Sequence, residues 1–103
     1  MGIFYYELSY NYAIPRKIRR LIHMETRVAV MSIIVENTKS VEELNNILHE
    51  YRDYIIGRMG LPYKPKHINL ISIALDAPQD VISALSGRIG NLEGVSVKAA
   101  FSK

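Results

Sequence analysis

Three histidines, His23, His49 and His67, are the only neutral-nitrogen ligands in the chain, and there is no cysteine to join them. None stands in a His-x-His, His-x-x-x-His or His-Glu-x-x-His spacing, so the sequence predicts no metal site. His49 lies beside Glu50 on the polar side of a helical stripe, where solvation is its expected role. Asp53, Asp76 and Asp80 carry the group needed for acid–base chemistry, but no partner spacing separates them from cap and turn carboxylates. Ser83 and Ser86 lack the strand-to-helix elbow that presents a serine nucleophile. The expectation is a protein that is not an enzyme, with no catalytic residue, metal or cofactor.

The richest cluster of binding groups is the run Arg58-Met59-Gly60-Leu61-Pro62-Tyr63-Lys64-Pro65-Lys66-His67. Read as a loop, it offers Arg58, Tyr63, Lys64, Lys66 and His67 to a small anionic ligand, while Gly60 permits close backbone approach. The competing reading is a solvated hairpin connection that protects a sheet edge. Gly87, Arg88, Gly90 and Gly94 invite a phosphate reading too. They fall at the C-terminal end of a predicted helix, however, where the dipole disfavours anions, so turn geometry and close packing explain them better.

The elements that position these groups follow from periodicity. Ile82, Leu85, Ile89 and Leu92 form a stripe of helical period, after which Val95, Val97, Ala99 and Phe101 alternate as a strand. Upstream, Arg27–Glu36 predicts a strand that is apolar on both faces, with Val28, Val30 and Ile34 opposite Ala29, Met31, Ile33 and Val35. Ser40 and Glu43 fit a capping box ahead of a helix starting at Val41, and Val41, Leu44, Leu48, Tyr51 and Ile55 repeat the later stripe. Residues 54–59 predict a short strand, Leu61–Lys66 a loop broken by two prolines, and His67–Asp76 another strand apolar on both faces. Pro78 suits the first position of the second helix.

This order, strand-helix-strand-strand-helix-strand, is the split βαβ arrangement of an α+β, ferredoxin-like sandwich. It implies an antiparallel four-stranded sheet with two helices on one face. The first and third strands are central in that fold, which agrees with their apolar content on both sides. Either Met31, Ile33, Ile71 and Ile73 or their alternates must then form a second apolar face. An uncovered face of that kind predicts a homo-oligomer, dimer or tetramer, assembled through the sheet face or its edges.

With 103 residues the chain predicts one main domain, over residues 24–103. Residues 1–23 differ in character: Phe4, Tyr5, Tyr6, Tyr10 and Tyr12 crowd together, Pro15 interrupts, and Arg16, Lys17, Arg19 and Arg20 follow. No helical or strand period emerges there. The segment reads as an N-terminal extension, either a disordered arm or translated leader. Under the leader reading, AGG codons for Arg19-Arg20 would form a ribosome-binding sequence with Leu21-Ile22-His23 as its spacer before Met24. The net charge of +3 resides in this extension, and the remaining residues balance. Binding of nucleic acid by this chain alone is therefore not expected, because counterion release has little field to draw on. The alternative is a DNA-binding regulator that uses the basic extension. No apolar run reaches membrane-span length, and the expected location is the cytoplasm.

Gly57-Arg58-Met59-Gly60-Leu61-Pro62-Tyr63, the strand Ile71-Ser72-Ile73, Ala84-Leu85-Ser86-Gly87-Arg88-Ile89-Gly90 and Gly94-Val95-Ser96-Val97-Lys98 together resemble one family. These are small bacterial proteins described as iron-only hydrogenase system regulators, and the resemblance runs from about Thr26 to the C-terminus. It implies a ferredoxin-like fold related to ACT domains and to the C-terminal domain of nickel-responsive regulators. It also implies ligand sensing and assembly rather than catalysis. The chain departs from both relatives: it has no His-x-His with cysteine, and Val35-Glu36-Asn37-Thr38-Lys39-Ser40 puts no glycine between first strand and first helix.

Overall fold

The computed structural model describes Tyr5–Leu8 and residues 25–103. Its elements are β1 (Tyr5–Leu8), β2 (Arg27–Val35), α1 (Val41–Glu50), β3 (Ile55–Tyr63), β4 (Ile68–Ala77), α2 (Gln79–Gly90) and β5 (Val95–Phe101). The strands form one antiparallel sheet in the order β1-β3-β4-β2-β5. From Arg27 onward this is the expected four-stranded ferredoxin-like sheet with two helices, β2 and β4 at its centre and β5 at an edge.

The core lies between the helices and one sheet face. Leu44, Ile47 and Leu48 of α1 and Ile82, Leu85 and Ile89 of α2 are buried against Ala29, Met31, Ile33 and Val35 of β2 and Ile73, Leu75 and Ala77 of β4. Each fully buried Leu, Ile, Val or Met side chain among these contributes roughly 1.5–3 kcal/mol of transfer free energy. The two helical stripes thus supply the helix layer, and of the two candidate sets for the second sheet face it is the alternates that remain uncovered.

Several local expectations are corrected. The first helix stops at Glu50; Arg52–Tyr54 makes a short 3-10 turn, and Ile55 is buried as the first residue of β3. Ser40 and Glu43 form no capping box. The Ser40 hydroxyl instead donates to the Glu93 carbonyl at 2.7 Å, and the Asn37 carboxamide oxygen accepts from the Lys39 amide at 3.0 Å. The Ser40–Glu93 bond ties the β2–α1 corner to the α2–β5 corner, while the Asn37 bond is local to the first. Gly94 sits at that junction with φ +69°, and a Cβ there would lie 2.6 Å from the Asn37 Cβ.

The strand expected over residues 54–59 is longer and runs through Pro62 to Tyr63. Pro62 stands opposite Asn69 of β4. A proline is tolerated in a ladder where its nitrogen faces away from the partner, and β3 has an outer side on which such a nitrogen can lie. On that side β1 pairs with β3 only from Gly57 to Gly60. The sequence reading assigns no element to residues 1–23, yet Tyr5–Leu8 forms this fifth strand, because backbone pairing at an edge requires no alternating side chains. The basic run Arg16–Arg20 lies outside the described residues.

Candidate functional site

The five residues expected to form an anion-binding loop are divided by the fold. Arg58 is in mid-strand, where its guanidinium donates to the Asn45 carboxamide oxygen of α1 at 3.2 Å, so it belongs to the helix side of the sheet. Tyr63 ends the same strand on the opposite face, about 17 Å further along at the usual rise per residue. Lys64-Pro65-Lys66 makes one 3-10 turn that closes through the His67 amide and the Lys64 carbonyl at 3.1 Å, with His67 left-handed at φ 54°. Lys64, Lys66 and His67 therefore gather, exposed, at the tip of the β3–β4 hairpin, and Arg58 does not join them. The loop expected over Leu61–Lys66 is confined to the turn Lys64–Lys66, because Pro62 lies inside the strand and only Pro65 lies in the turn.

The uncovered sheet face is the larger feature. Val28, Val30, Ile34, Met59 and Tyr63 are each between 40% and 43% exposed and all lie on it. Pairing register arranges this face in rows that cross four strands. One row runs Leu61, Leu70, Ile34, Ser96; the next Met59, Ser72, Ser32, Lys98; the third Gly57, Ala74, Val30, Ala100. A depression of about 390 Å³ opens here, lined by Ser32, Ile34, Met59, Leu61, Leu70 and Ser72 among others. Sequence reasoning recognised the apolar alternates but passed over Ser32 and Ser72. The available signal was one serine on the same face in the middle of each strand predicted to be central.

Charges lie mainly around the helices and sheet margin. Arg88 of α2 bridges to Glu50 of α1 with nitrogen–oxygen distances of 2.6 and 3.3 Å, and its guanidinium lies 5.6 Å from the centre of the Tyr51 ring. Hydrogen bonding to Arg88, helped by its positive charge, holds the Glu50 carboxyl below the ordinary glutamate value. Hydrogen bonds with Glu50 and Tyr51 in turn raise the Arg88 guanidinium. Both groups are solvated, so the pair orients the helices more than it stabilises them. At the far end of the sheet, Arg27 donates to Gln79 at 2.7 Å and stacks over Phe101 at 4.5 Å. Among the described residues, no three His, Asp or Glu side chains lie close enough together to hold a metal ion.

Comparison with known proteins gives matches to a family model and to solved structures. A family model described as "TM1266-like: Iron-only hydrogenase system regulator, putative" matches residues 27–99. Among solved structures, uncharacterized protein TM1266 from Thermotoga maritima superposes with a TM-score of 0.74 at 32% identity, covering 77% of this chain and 100% of that one. No curated protein matches the chain significantly.

Proposed function

The chain belongs to the TM1266-like family, and from that premise we propose that it is a regulatory or sensory domain connected with an iron-only hydrogenase system. In this reading it acts in the cytoplasm as a homo-oligomer and responds to a small anionic ligand or a protein partner, not as a catalyst. Among the described residues no helix is long and apolar enough to cross a membrane.

The observation that carries the reading is the open face. Val28, Val30, Ile34, Met59 and Tyr63 present apolar surface on the side of the sheet opposite both helices. Contiguous apolar surface of this kind marks an interaction site in a soluble domain. The exposed Lys64, Lys66 and His67 at the hairpin tip add cations that suit an anionic group of a ligand or partner. Sedimentation velocity at micromolar concentration tests the assembly, with a dimer or tetramer as the expected species. A chain that remains monomeric across that range removes the oligomeric reading.

A further inference from the structure

The open face is largely apolar, and apart from Ser96 and Asp76 in other rows its polar groups lie along one line. Ser72, Ser32 and Lys98 are consecutive in the middle row, on β4, β2 and β5, with Met59 at the other end of that row. Among the described residues, neither serine hydroxyl and not the lysine ammonium has a hydrogen-bonding or ionic partner. Ser72, Ser32 and Met59 line the depression of about 390 Å³ whose other walls include Ile34, Leu61 and Leu70, and Lys98 stands beside Ser32 on the neighbouring strand. That volume lies within the roughly 300–1,000 Å³ of small-molecule sites.

Two simpler uses of the face fit this row poorly. A dry contact between sheets would bury the Lys98 charge and two hydroxyls without partners, which is costly. A merely solvated face gives no reason for Val30, Ile34, Leu61 and Leu70 to flank the polar line on both sides. A ligand with an apolar body and an anionic head satisfies both halves. Its body fills the depression, its head accepts from the two hydroxyls, and the single ammonium at the end of the row matches a single negative charge.

We propose that the row Ser72–Ser32–Lys98 and the adjoining depression form a binding site for a small aliphatic carboxylate, distinct from the hairpin tip. The ligand carries no ammonium group. The acid on the same face, Asp76, stands four residues along β4 from Ser72, about 14 Å at the usual strand rise, too far to receive one. The proposal deepens the sensory reading, and rests on it only for the claim that occupancy is read by a partner subunit. Binding itself requires one chain.

The test is titration of the full chain with 4-methylpentanoate, leucine and 4-methylpentan-1-ol, which share a tail and differ in the head. Backbone amide shifts and sedimentation are recorded on the same samples. The carboxylate is expected to bind and to shift Ser32, Ser72 and Lys98, with leucine and the alcohol weaker. Lys98→Gln should weaken the carboxylate by about fivefold to tenfold and leave the alcohol unchanged, and Ser72→Ala should weaken it by about threefold, with unchanged thermal unfolding in both variants. Equal affinity for acid and alcohol, an indifferent Lys98→Gln, leucine binding as tightly as the acid, or no binding at millimolar concentration would each overturn the site. Binding without a change in sedimentation upholds the site and removes only its coupling to assembly. A chain that is monomeric with and without the acid fails the oligomeric reading while the site stands.

Discussion

Gly94 concentrates the constraints of the fold in one residue. Its positive φ is strained for any side chain, and an added Cβ meets the Asn37 Cβ at 2.6 Å and the Asn37 nitrogen at 3.0 Å. Backbone cannot swing aside as the end of a lysine can, since the Glu36 amide donates to the Gly94 carbonyl at 2.7 Å in the same corner. Gly94→Ala is therefore expected to cost about 2–3 kcal/mol, measured by urea denaturation. The sequence marked Gly94 as a helix stop, but its partner lies 57 positions earlier and no local pattern reveals it. Ser40 shows the same limit. Its spacing to Glu43 suggested a cap, while its hydroxyl had a better acceptor in Glu93. Glu50 gives a pH prediction with a definite sign. Its carboxyl is held low in the folded chain, so its stabilising contribution is complete above the ordinary glutamate pKa and is lost as pH falls through the lower folded value. The stability difference between wild type and Glu50→Gln should shrink as pH drops below about 4, followed by thermal unfolding at a series of pH values.

At the scale of elements, periodicity located both helices, and two-sided apolar content identified β2 and β4 as interior strands. Those signals succeed because burial acts on every residue of an element. They weakened at β3, where glycine and proline dilute the alternation, and the tyrosine at position 51 and isoleucine at position 55 extended the first helical stripe past its true end. They were silent for β1, whose place depends on main-chain hydrogen bonds to an edge. The family match begins at residue 27, so the added strand lies outside the part of the sheet it covers. Deleting residues 1–8 should raise hydrogen exchange at Gly57–Gly60 by about an order of magnitude or more while β2 and β4 keep their protection. Equal protection of Gly57–Gly60 in both chains would show that the edge pairing does not persist in solution.

For the molecule as a whole, one sheet face is sealed by helices and the other is offered outward. Val30 lies in an apolar row of the outward face, between Ala74 and Ala100. Placing a charge there should oppose a sheet-face contact without disturbing the core, so Val30→Lys is expected to lower the sedimenting mass to that of the monomer and leave unfolding within about 0.5 kcal/mol of wild type. The architecture and the existence of this face were legible in the sequence, whereas the register that aligns Ser72, Ser32 and Lys98 across it was not, because they come from strands separated by tens of residues. The same sheet order also governs how the chain acquires its fold. β2 has β4 and β5 as neighbours, and neither follows it directly, so the first strand pair with a short connection is the β3–β4 hairpin. During synthesis β2 waits as an unpaired, two-sided apolar strand until β4 emerges, and one of its edges stays open until β5 is complete. Assembly of the sheet is thus governed by late arrivals, and the interval before β5 docks is when the nascent chain most needs protection from mispairing.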